Sequence, residues 1–335
     1  MKGLDLPSPH LLLVTPADSY RTSDYLDAAT AFGCRVTVVT DGAVAIPGSA
    51  IVAPLFDPVA AANVIVGQLP TGVDAVVGTD GSAIAVAASI ARLLGLTANS
   101  EVALFAADDK LAQRRALASA GLCQPRFSTA ADDEWCHFPA VVKPVDGSAS
   151  QGVLRANNAD ELRSAIEAVR GIAGADGEVI VEEFVPGVEV AVEGLLRNGS
   201  LEVLALFDKP ETPTGPTFPE TLLISPARLD AATVEAVVDL ASNACAAIGL
   251  REGPVHVECK VEDEHVWFIE LAPRTIGGLC SRSLRPGGIG LEELVLRHAL
   301  GLATPSAEHI GATGVLMLPV ATHGVLDRVD GVDRA

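Results

Sequence analysis

One lysine stands in an apolar run directly before a stretch of small residues, in the sequence FPAVVKPVDGSASQGVLR of residues 138–155. A buried ammonium is costly unless an anionic group pairs with it. The small residues between Gly147 and Gly152 let backbone N–H groups approach an anion closely. A P-loop has Lys-Ser after its second glycine, where this chain has Val153-Leu154. The stretch alone is compatible with a surface lysine beside a hairpin loop, or with Lys143 reaching a nucleotide phosphate from the strand.

The elements that must position this lysine follow a parallel α/β pattern up to about residue 100. Short apolar runs such as LLLVT alternate with helical stretches, which predicts a parallel sheet with helices on its faces. A dinucleotide-binding domain would carry G-x-G-x-x-G after the first strand, where TPADSYR stands instead. From about residue 105 the pattern changes to a helix capped by Asp108 or Asp109, then paired strands, an amphipathic helix over 230–248 and a closing hairpin.

Composition limits the classes of partner. The chain has 335 residues, enough for two or three domains, with 49% apolar and 4% aromatic residues. Its formal net charge of −20 argues against nucleic acid or an anionic membrane as the main partner. No run of about 18 apolar residues stands in the sequence, so we expect no membrane span. The six cysteines are scattered without metal-ligand spacing, which is typical of reduced thiols in a cytoplasmic protein.

Several motifs between about residues 105 and 305 resemble, in order, those of the ATP-grasp family. The resemblance implies a fold of mixed α/β and α+β class, with a Rossmann-like pre-ATP-grasp domain at 1–104 followed by a two-lobed ATP-grasp fold at 105–305. The first lobe, 105–185, would carry the glycine-rich loop, and the second, 186–305, the metal site. Residues 306–335 would be the remnant of a C-terminal lobe.

The same resemblance implies an ATP site between the two lobes. Its parts are two phosphate-contacting lysines, a loop that covers the phosphates, a hinge that binds adenine, and an acid that holds the ribose. In this chain the matching positions are Lys110 and Lys143; Gly147, Ser148 and Gly152; Glu182, Glu183, Phe184 and Val185; and Glu189. Arg274, in ELAPRTIGG, matches the arginine that stabilises charge on the transferred phosphoryl group or on the tetrahedral adduct.

Glu258 and Glu270 match the two Mg²⁺ ligands of the family, with Mn²⁺ as an alternative ion. They lie on the two arms of the closing hairpin, and side chains alternate between the faces of a strand. Without a bulge, the two carboxylates share a face only if the turn has an odd number of residues, so we predict the turn Asp263-Glu264-His265. The family often has Asn two residues after the second ligand. Ala272 stands there instead, which implies extra water on the second ion.

Further residues are candidates for the substrate end of the site, and several of them have an ordinary structural alternative. Lys209, in a Pro-rich stretch too irregular for a strand, either binds a substrate carboxylate or lies in a surface loop. His256 either polarises a substrate or is a hydrogen-bonded structural residue. Arg282 and Arg285 either bind a substrate carboxylate, which arginine can hold through two parallel hydrogen bonds, or pair with Glu292 and Glu293. The candidates of this kind are Tyr20, Arg21, Lys209, His256, Gly277, Gly278, Arg282 and Arg285.

The resemblance implies an ATP-dependent carboxylate–amine ligase of the amino-acid-ligase branch, which forms an amide through an acyl phosphate. Its substrates would be small molecules, amino acids above all, and its cofactors ATP and Mg²⁺. Members of the family commonly form homodimers, so the resemblance also implies a homodimer. Two alternatives remain open. One is an ATP-grasp carboxylase or nucleotide-biosynthesis ligase, and the other is an ATP-binding protein without catalysis, which Ala272 would favour.

Overall fold

The computed structural model of the chain describes residues 8–43, 46, 50–69, 72–129, 135–147, 150–173, 177–304, 311–318, 324–325 and 327–331. The helices are α1 Thr22–Phe32, α2 Pro58–Val66, α3 Gly81–Leu93, α4 Glu101–Asp108, α5 Lys110–Ser119, α6 Ala159–Ala173, α7 Ala231–Ile248 and α8 Leu291–Ala299. The strands are β1 His10–Val14, β2 Arg35–Thr40, β3 Ala50–Val52, β4 Ala75–Gly78, β5 Phe127–Thr129, β6 Ala140–Pro144, β7 Leu154–Ala156, β8 Val179–Glu183, β9 Val188–Arg197, β10 Ser200–Lys209, β11 Leu222–Ser225, β12 Gly253–Glu262, β13 His265–Ala272 and β14 Thr313–Leu316.

The first part of the chain forms the predicted parallel sheet. Its strand order is β3-β2-β1-β4, and β1 pairs in parallel with both β2 and β4. Every residue of β1 is buried, because helices cover both faces of the sheet. Helix α1 ends at Gly33, whose φ of +80° is the left-handed conformation that favours glycine. The predicted α/β class of this part is confirmed.

The rest of the chain builds two antiparallel sheets. The smaller sheet has the order β5-β8-β6-β7, and its core lies under helix α6. The larger sheet has the order β13-β12-β9-β10-β11-β14, and helices α4, α5 and α7 pack on one face of it. Asp109 caps α5, since its carboxylate accepts a hydrogen bond from the amide of Ala112 at 2.6 Å. This α/β plus α+β arrangement confirms the fold class expected from the sequence.

Helix α7 is the one helix of the described residues that is long and apolar enough, by length and composition, to cross a membrane. Its 18 residues have a mean hydropathy of 1.3. Polar residues interrupt the segment, so a search for an unbroken apolar run does not find it. Its buried residues include Val237, Ala241 and Ile248, which pack against the larger sheet. The apolar side of this helix therefore belongs to the core.

The closing hairpin differs from the sequence-based prediction at its turn. Glu262 pairs with His265, so the turn has two residues, Asp263 and Glu264, and the predicted three-residue turn is wrong. A β-bulge between Cys259 and Glu258 then shifts the pairing by one residue. Because of this bulge, Glu258 lies directly opposite Glu270. The two-residue turn and the bulge together place Glu258 and Glu270 on the same face of the hairpin. A three-residue turn without a bulge would have had the same effect.

Strand β14 lies in the segment that the sequence suggested as the remnant of a C-terminal lobe. It pairs antiparallel with β11 and forms an edge of the larger sheet. Met317, the residue after β14, lines the cavity described below, and its amide donates to the carbonyl of Thr221. The described part of this segment therefore extends the second lobe.

Candidate active site

A cavity of about 750 Å³ lies where the parallel sheet and the two antiparallel sheets meet. Its size is typical of small-molecule sites, which span roughly 300–1,000 Å³. Most of the residues singled out in the sequence line it: Tyr20, Arg21, Lys110, Lys143, Gly147, Glu182, Glu183, Phe184, Val185, Glu189, His256, Glu258, Glu270, Arg274, Gly277 and Gly278. Ser148 lies outside the described residues. Positions far apart in the chain thus converge on one cavity.

Lys143 has a partner inside the chain. It lies on β6, where it is 5% exposed, and its Nζ is 2.8 Å from Oε2 of Glu182 on β8. The other carboxylate oxygen, Oε1, accepts from Nε of Arg114 at 2.8 Å. Burial alone would raise the pKa of Glu182, but the two cations outweigh it and hold the pKa below its usual range. The anion beside Lys143 in this structure is Glu182, and a contact from Lys143 to a phosphate remains a prediction.

Lys110 links the glycine-rich loop to the closing hairpin. It is the first residue of α5, and its Nζ donates to the carbonyl of Gly147 at 2.8 Å. The same Nζ lies 3.5 Å from Oε1 of Glu270. Gly147 has a φ of +88°, so a glycine suits the point where the loop leaves β6. Lys110, the start of the loop and one arm of the hairpin are therefore neighbours.

Lys209 lies at the centre of a cluster of three carboxylates. It is the last residue of β10, so the prediction that it sits in an irregular stretch is wrong. Its Nζ is 2.6 Å from Glu189, 2.6 Å from Glu220 and 2.8 Å from Glu258. Burial opposes the charged form of Lys209, but the carboxylates outweigh burial and raise the pKa of its ammonium. Lys209 is neither a surface lysine nor a free cation for a substrate carboxylate.

The donor set of this cluster fits a hard divalent cation. Oxygen atoms of Glu189, Glu220 and Glu258 lie within 4.8 Å of one another, and a lysine ammonium already stands among them. Glu270 faces Glu258 across the hairpin and brings a further carboxylate. Carboxylate oxygens are the ligands that Mg²⁺ prefers, with water filling the remaining positions. Glu258 and Glu270 therefore offer donors of this kind, and metal binding by the two residues stays a prediction.

His256 is held between two glutamates. Its Nδ1 makes a short hydrogen bond with Oε1 of Glu193, and its Nε2 lies 3.2 Å from Oε1 of Glu258. Burial lowers the pKa of the imidazole, but Glu193 and Glu258 outweigh that effect and raise the pKa to about 9. Oε2 of Glu193 accepts from the amide of Ile276 at 3.0 Å. His256 is thus a hydrogen-bonded residue on the cavity wall, and a role in polarising a substrate stays a prediction.

The hinge between the two lobes combines backbone and aromatic groups. The carbonyl of Val185 accepts from Nζ of Lys260 at 3.0 Å. The ring of Phe184 stacks on Phe218 with 6.3 Å between centroids, and the guanidinium of Arg155 lies 4.5 Å from the Phe184 centroid. Phe184 and Phe218 both line the cavity and offer it apolar surface suited to a planar ring.

Comparisons with known proteins agree with this geometry. A family model described as ATP-grasp domain matches residues 136–283. The D-alanine–D-alanine ligase of Gloeobacter violaceus is 30% identical over 228 residues, which cover 61% of this chain and 72% of that protein. The chain belongs to the ATP-grasp superfamily, in its branch of carboxylate–amine ligases.

Two further relatives extend the comparison of this ATP-grasp chain. The uncharacterized protein y4rH of Sinorhizobium fredii is 30% identical over 239 residues, 68% of this chain. The alignment spans about half the length of that relative, 49%. The crystal structure of an L-amino acid ligase from Bacillus licheniformis has a TM-score of 0.84 at 27% identity, covering 98% of this chain and 85% of that one.

The remaining candidates, proposed from the sequence as substrate contacts, lie in different parts of the structure. The hydroxyl of Tyr20 accepts from the amide of Gly278 at 3.2 Å, and both residues line the cavity. Arg21 is 5% exposed and donates to the carbonyl of Ile276 at 2.9 Å and to Thr275. The guanidinium of Arg21 therefore ties the first domain to the loop after β13, and it is already satisfied within the chain.

Two of the proposed substrate arginines lie elsewhere. Arg282 is exposed and pairs with Asp24 of α1 at 2.9 Å, rather than with Glu292 or Glu293. Arg285 is also exposed, and neither arginine is among the described residues that line the cavity. Gly152, with a φ of +72°, lies between Gln151 and Val153, which both line the cavity, and its contact with a phosphate stays a prediction. The sequence interpretation of Arg282 and Arg285 as direct ligand contacts is not supported by their position.

Arg114, Glu193 and Lys260 are site residues that the sequence interpretation missed. Each is buried and each binds a predicted residue or the hinge: Glu182, His256 and Val185 respectively. Charged residues inside apolar strands and helices were the available signal, because a buried charge needs a partner. A charged residue in an apolar segment can be recognised from the sequence, but its partner cannot, because the partner lies in another helix or strand.

The hinge conformation can be tested at Gly187, the residue before β9. Its φ is +96°, and a Cβ atom there would overlap the carbonyl group of Val261. We expect Gly187→Ala to lower the free energy of unfolding by roughly 1–3 kcal/mol, because both strain and overlap oppose the side chain. Urea denaturation followed by circular dichroism measures the change.

A matched control lies in helix α6. A Cβ atom at Gly171 would meet nothing within 4 Å, and the residue is inside the helix. Gly171→Ala should therefore raise stability by roughly 0.5–1 kcal/mol. Equal stability losses in the two variants would contradict the hinge geometry.

Proposed function

We propose that this protein is an ATP-dependent carboxylate–amine ligase that forms an amide bond through an acyl phosphate and releases ADP and phosphate. The observation that carries the proposal is the convergence on one cavity of two lysines, two facing carboxylates and an arginine. These residues are Lys110, Lys143, Glu258, Glu270 and Arg274. Two of the relatives named above, a D-alanine–D-alanine ligase and an L-amino acid ligase, are ligases, which supports the reaction class.

The nucleotide would lie between the two lobes. The aromatic pair Phe184 and Phe218 and the backbone around Val185 offer a slot for adenine, bordered by Glu182 and Glu183. Glu189 would hold the ribose hydroxyls, and Lys110 and Lys143 would bind phosphate oxygens from opposite sides of the glycine-rich loop. Lys143 would then exchange part of its contact with Glu182 for the phosphate.

Glu258 and Glu270 would hold Mg²⁺, or Mn²⁺ in its place, and the ion would neutralise charge on the phosphate oxygens. Both residues carry carboxylates on one face of the hairpin. Ala272 leaves the second carboxylate without a neighbouring amide, so water would complete the coordination. Ala272 lines the cavity, where there is room for such water.

The reaction would balance in two steps. A carboxylate oxygen attacks the γ-phosphorus of ATP, the bond from that phosphorus to the β-phosphate oxygen breaks, and ADP leaves. An amine nitrogen then attacks the acyl carbon, the carbon–oxygen bond to phosphate breaks, and the nitrogen loses a proton. Arg274 lines the cavity directly after β13, where its guanidinium would stabilise negative charge in both steps.

Amino acids are the substrates that this proposal favours. The cavity continues past Arg274 to Tyr20, Gly277, Gly278 and Met317, where no polyphosphate contact is needed. Arg274, which lines this cavity, is suited to the carboxylate of an amino acid. A homodimer, a cytoplasmic location and the boundaries of the C-terminal remnant remain predictions.

The test is an incubation of the full chain with ATP, Mg²⁺ and pooled amino acids, followed by assay of ADP and mass spectrometry of products. We expect ADP together with a condensation product whose mass is the sum of two amino acids minus water. Hydroxylamine in place of the amine should give a hydroxamate, because it traps the acyl phosphate. Excess EDTA should stop ADP formation.

Other outcomes point to the alternatives. ADP formed only with bicarbonate or a sugar-phosphate amine would favour a carboxylase or a nucleotide-biosynthesis ligase. Tight binding of ATP with no ADP under any condition would favour a nucleotide-binding protein without catalysis. Either result would contradict the amino-acid ligase.

A further inference from the structure

The edge of β13 that faces away from β12 is bound by side chains of α5 and by the backbone carbonyl of Cys123, which accepts from the amide of Phe268 at 3.0 Å. β13 is an edge strand of the larger sheet, so only one of its sides can pair with β12. Peptide groups on the other side need partners from outside the sheet, since the strand is partly buried. Helix α5 packs beside this edge and provides most of these partners.

Gln113 of α5 binds Leu271 as a neighbouring strand would. Its Nε2 donates to the carbonyl of Leu271 at 2.8 Å, and its Oε1 accepts from the amide of Leu271 at 3.1 Å. The side chain is 2% exposed, and Nε2 also donates to the carbonyl of Ala107. One primary amide therefore satisfies both backbone groups of Leu271.

Arg114, the next residue of α5, binds the bulge itself. Its Nη2 donates to the carbonyl of Ile269 at 2.6 Å, while its Nε binds Glu182. The guanidinium also lies 5.4 Å from the ring centroid of Phe268. The bulged strand is thus held at Ile269 by Arg114 and at Leu271 by Gln113, on both sides of Glu270.

The bulge decides which way Glu270 faces. Between the turn and the pair Cys259–Phe268 the hairpin is regular. Continued regular pairing would put Glu270 opposite Val257, on the face away from Glu258. Ile269 is the extra residue that restores the pairing of Glu258 with Glu270. The facing carboxylates therefore depend on a local irregularity of an edge strand.

We infer that Gln113 and Arg114 are positioning residues that hold β13 in the bulged register and so bring Glu270 opposite Glu258. This inference rests on the proposed function, because it concerns the geometry of the proposed divalent-ion site. Neither residue needs to touch the ion or the substrate. A regular hairpin without Ile269 would pair Glu258 with Glu270 and would not need the hydrogen bonds from Gln113 and Arg114 to hold that register.

The test is a double-mutant cycle read out as Mn²⁺ binding by electron paramagnetic resonance. Gln113→Met keeps the length of the side chain and removes its hydrogen bonds to Leu271. We expect it to raise the Mn²⁺ dissociation constant about 10- to 100-fold, as is usual when groups that orient ligands are removed. In a chain with Ile269 deleted, Glu258 and Glu270 pair directly, so the same substitution should change the constant less than about threefold.

Gln124→Met is the matched control. Nε2 of Gln124 donates to the carbonyl of Arg114 at 2.7 Å, so the variant also loses one hydrogen bond to the backbone near α5. It should leave Mn²⁺ binding within about twofold, because no contact to β13 is lost. Hydrogen exchange at the Leu271 amide should accelerate in Gln113→Met and not in Gln124→Met.

The possible outcomes separate the inference from the proposed function. If the unaltered chain fails to bind Mn²⁺, the proposed ion site is wrong and the inference falls with it. If the unaltered chain binds Mn²⁺ and Gln113→Met binds it equally well, only the inference is overturned. An equal loss with and without Ile269 would also overturn it, because a general loss of stability would then explain the effect.

Discussion

Replacement of Arg274 by methionine should lower kcat for ADP formation by about 10³-fold or more, the range found for arginines that stabilise transferred phosphoryl groups. Arg274 follows β13 directly and lines the cavity, and its Nη1 donates to the carbonyl of Thr275 at 3.0 Å. Methionine keeps much of the side-chain volume and removes the charge. The substrate-saturated rate of ADP release measures the effect.

Arg282 is the matched control for this experiment. It lies eight residues further along the chain, is exposed, and pairs with Asp24 outside the cavity. We expect Arg282→Met to change kcat less than about twofold, since exposed ion pairs contribute little. A rise in the KM for ATP with kcat preserved in Arg274→Met would assign Arg274 to binding rather than to the chemical step.

Glu182→Gln should lower the free energy of unfolding by roughly 3–5 kcal/mol, as expected when one member of a buried ion cluster loses its charge. Glu182 is 3% exposed and receives Lys143 and Arg114 at 2.8 Å each. Glutamine keeps the shape but leaves two buried cations next to a neutral group. Urea denaturation at pH 7 gives the difference.

The neighbouring residue supplies the control. Among the described residues, Arg126 is the ion-pair partner of Glu183, at 3.6 Å, and that arginine is exposed. Glu183→Gln should therefore change stability by less than about 1 kcal/mol. Similar losses in the two variants would contradict the buried cluster as the cause.

The effect of Glu182 should also depend on pH in a defined direction. The cations hold the folded-state pKa of Glu182 below its usual value, so its contribution to stability is complete above the unfolded-state pKa of about 4.3. The contribution is lost as the pH falls through the folded-state pKa. The stability difference between the original chain and Glu182→Gln should therefore shrink in acid.

Local signals in the sequence were sufficient for many elements. Gly33 ends α1 and Asp109 begins α5, because caps act on their own helix. The alternation of strand and helix gave the parallel sheet, and the order of motifs led to a single cavity. These features depend on neighbours within a few residues, or on a resemblance spread over the chain.

Other features depend on contacts between distant elements. The anion beside Lys143 is Glu182, which the strand pattern of 138–155 could not identify. The bulge at Ile269 is bound by side chains of a helix about 155 residues earlier in the chain. Parity along a hairpin predicts facing side chains only for regular pairing. Tertiary contacts therefore decided the register that local sequence left open.

The position of Lys209 has a consequence for how an acidic protein admits a polyphosphate. The positive charge of its ammonium already balances part of the negative charge of Glu189, Glu220 and Glu258. The repulsion that an approaching anion meets is then set mainly by the outer surface, where the chain's net charge of −20 is distributed. Dissolved ions screen such surface fields over about 10 Å at 0.1 M and scarcely affect buried pairs. Added salt should therefore speed the encounter with ATP, whereas salt slows the capture of anions by proteins with basic surfaces.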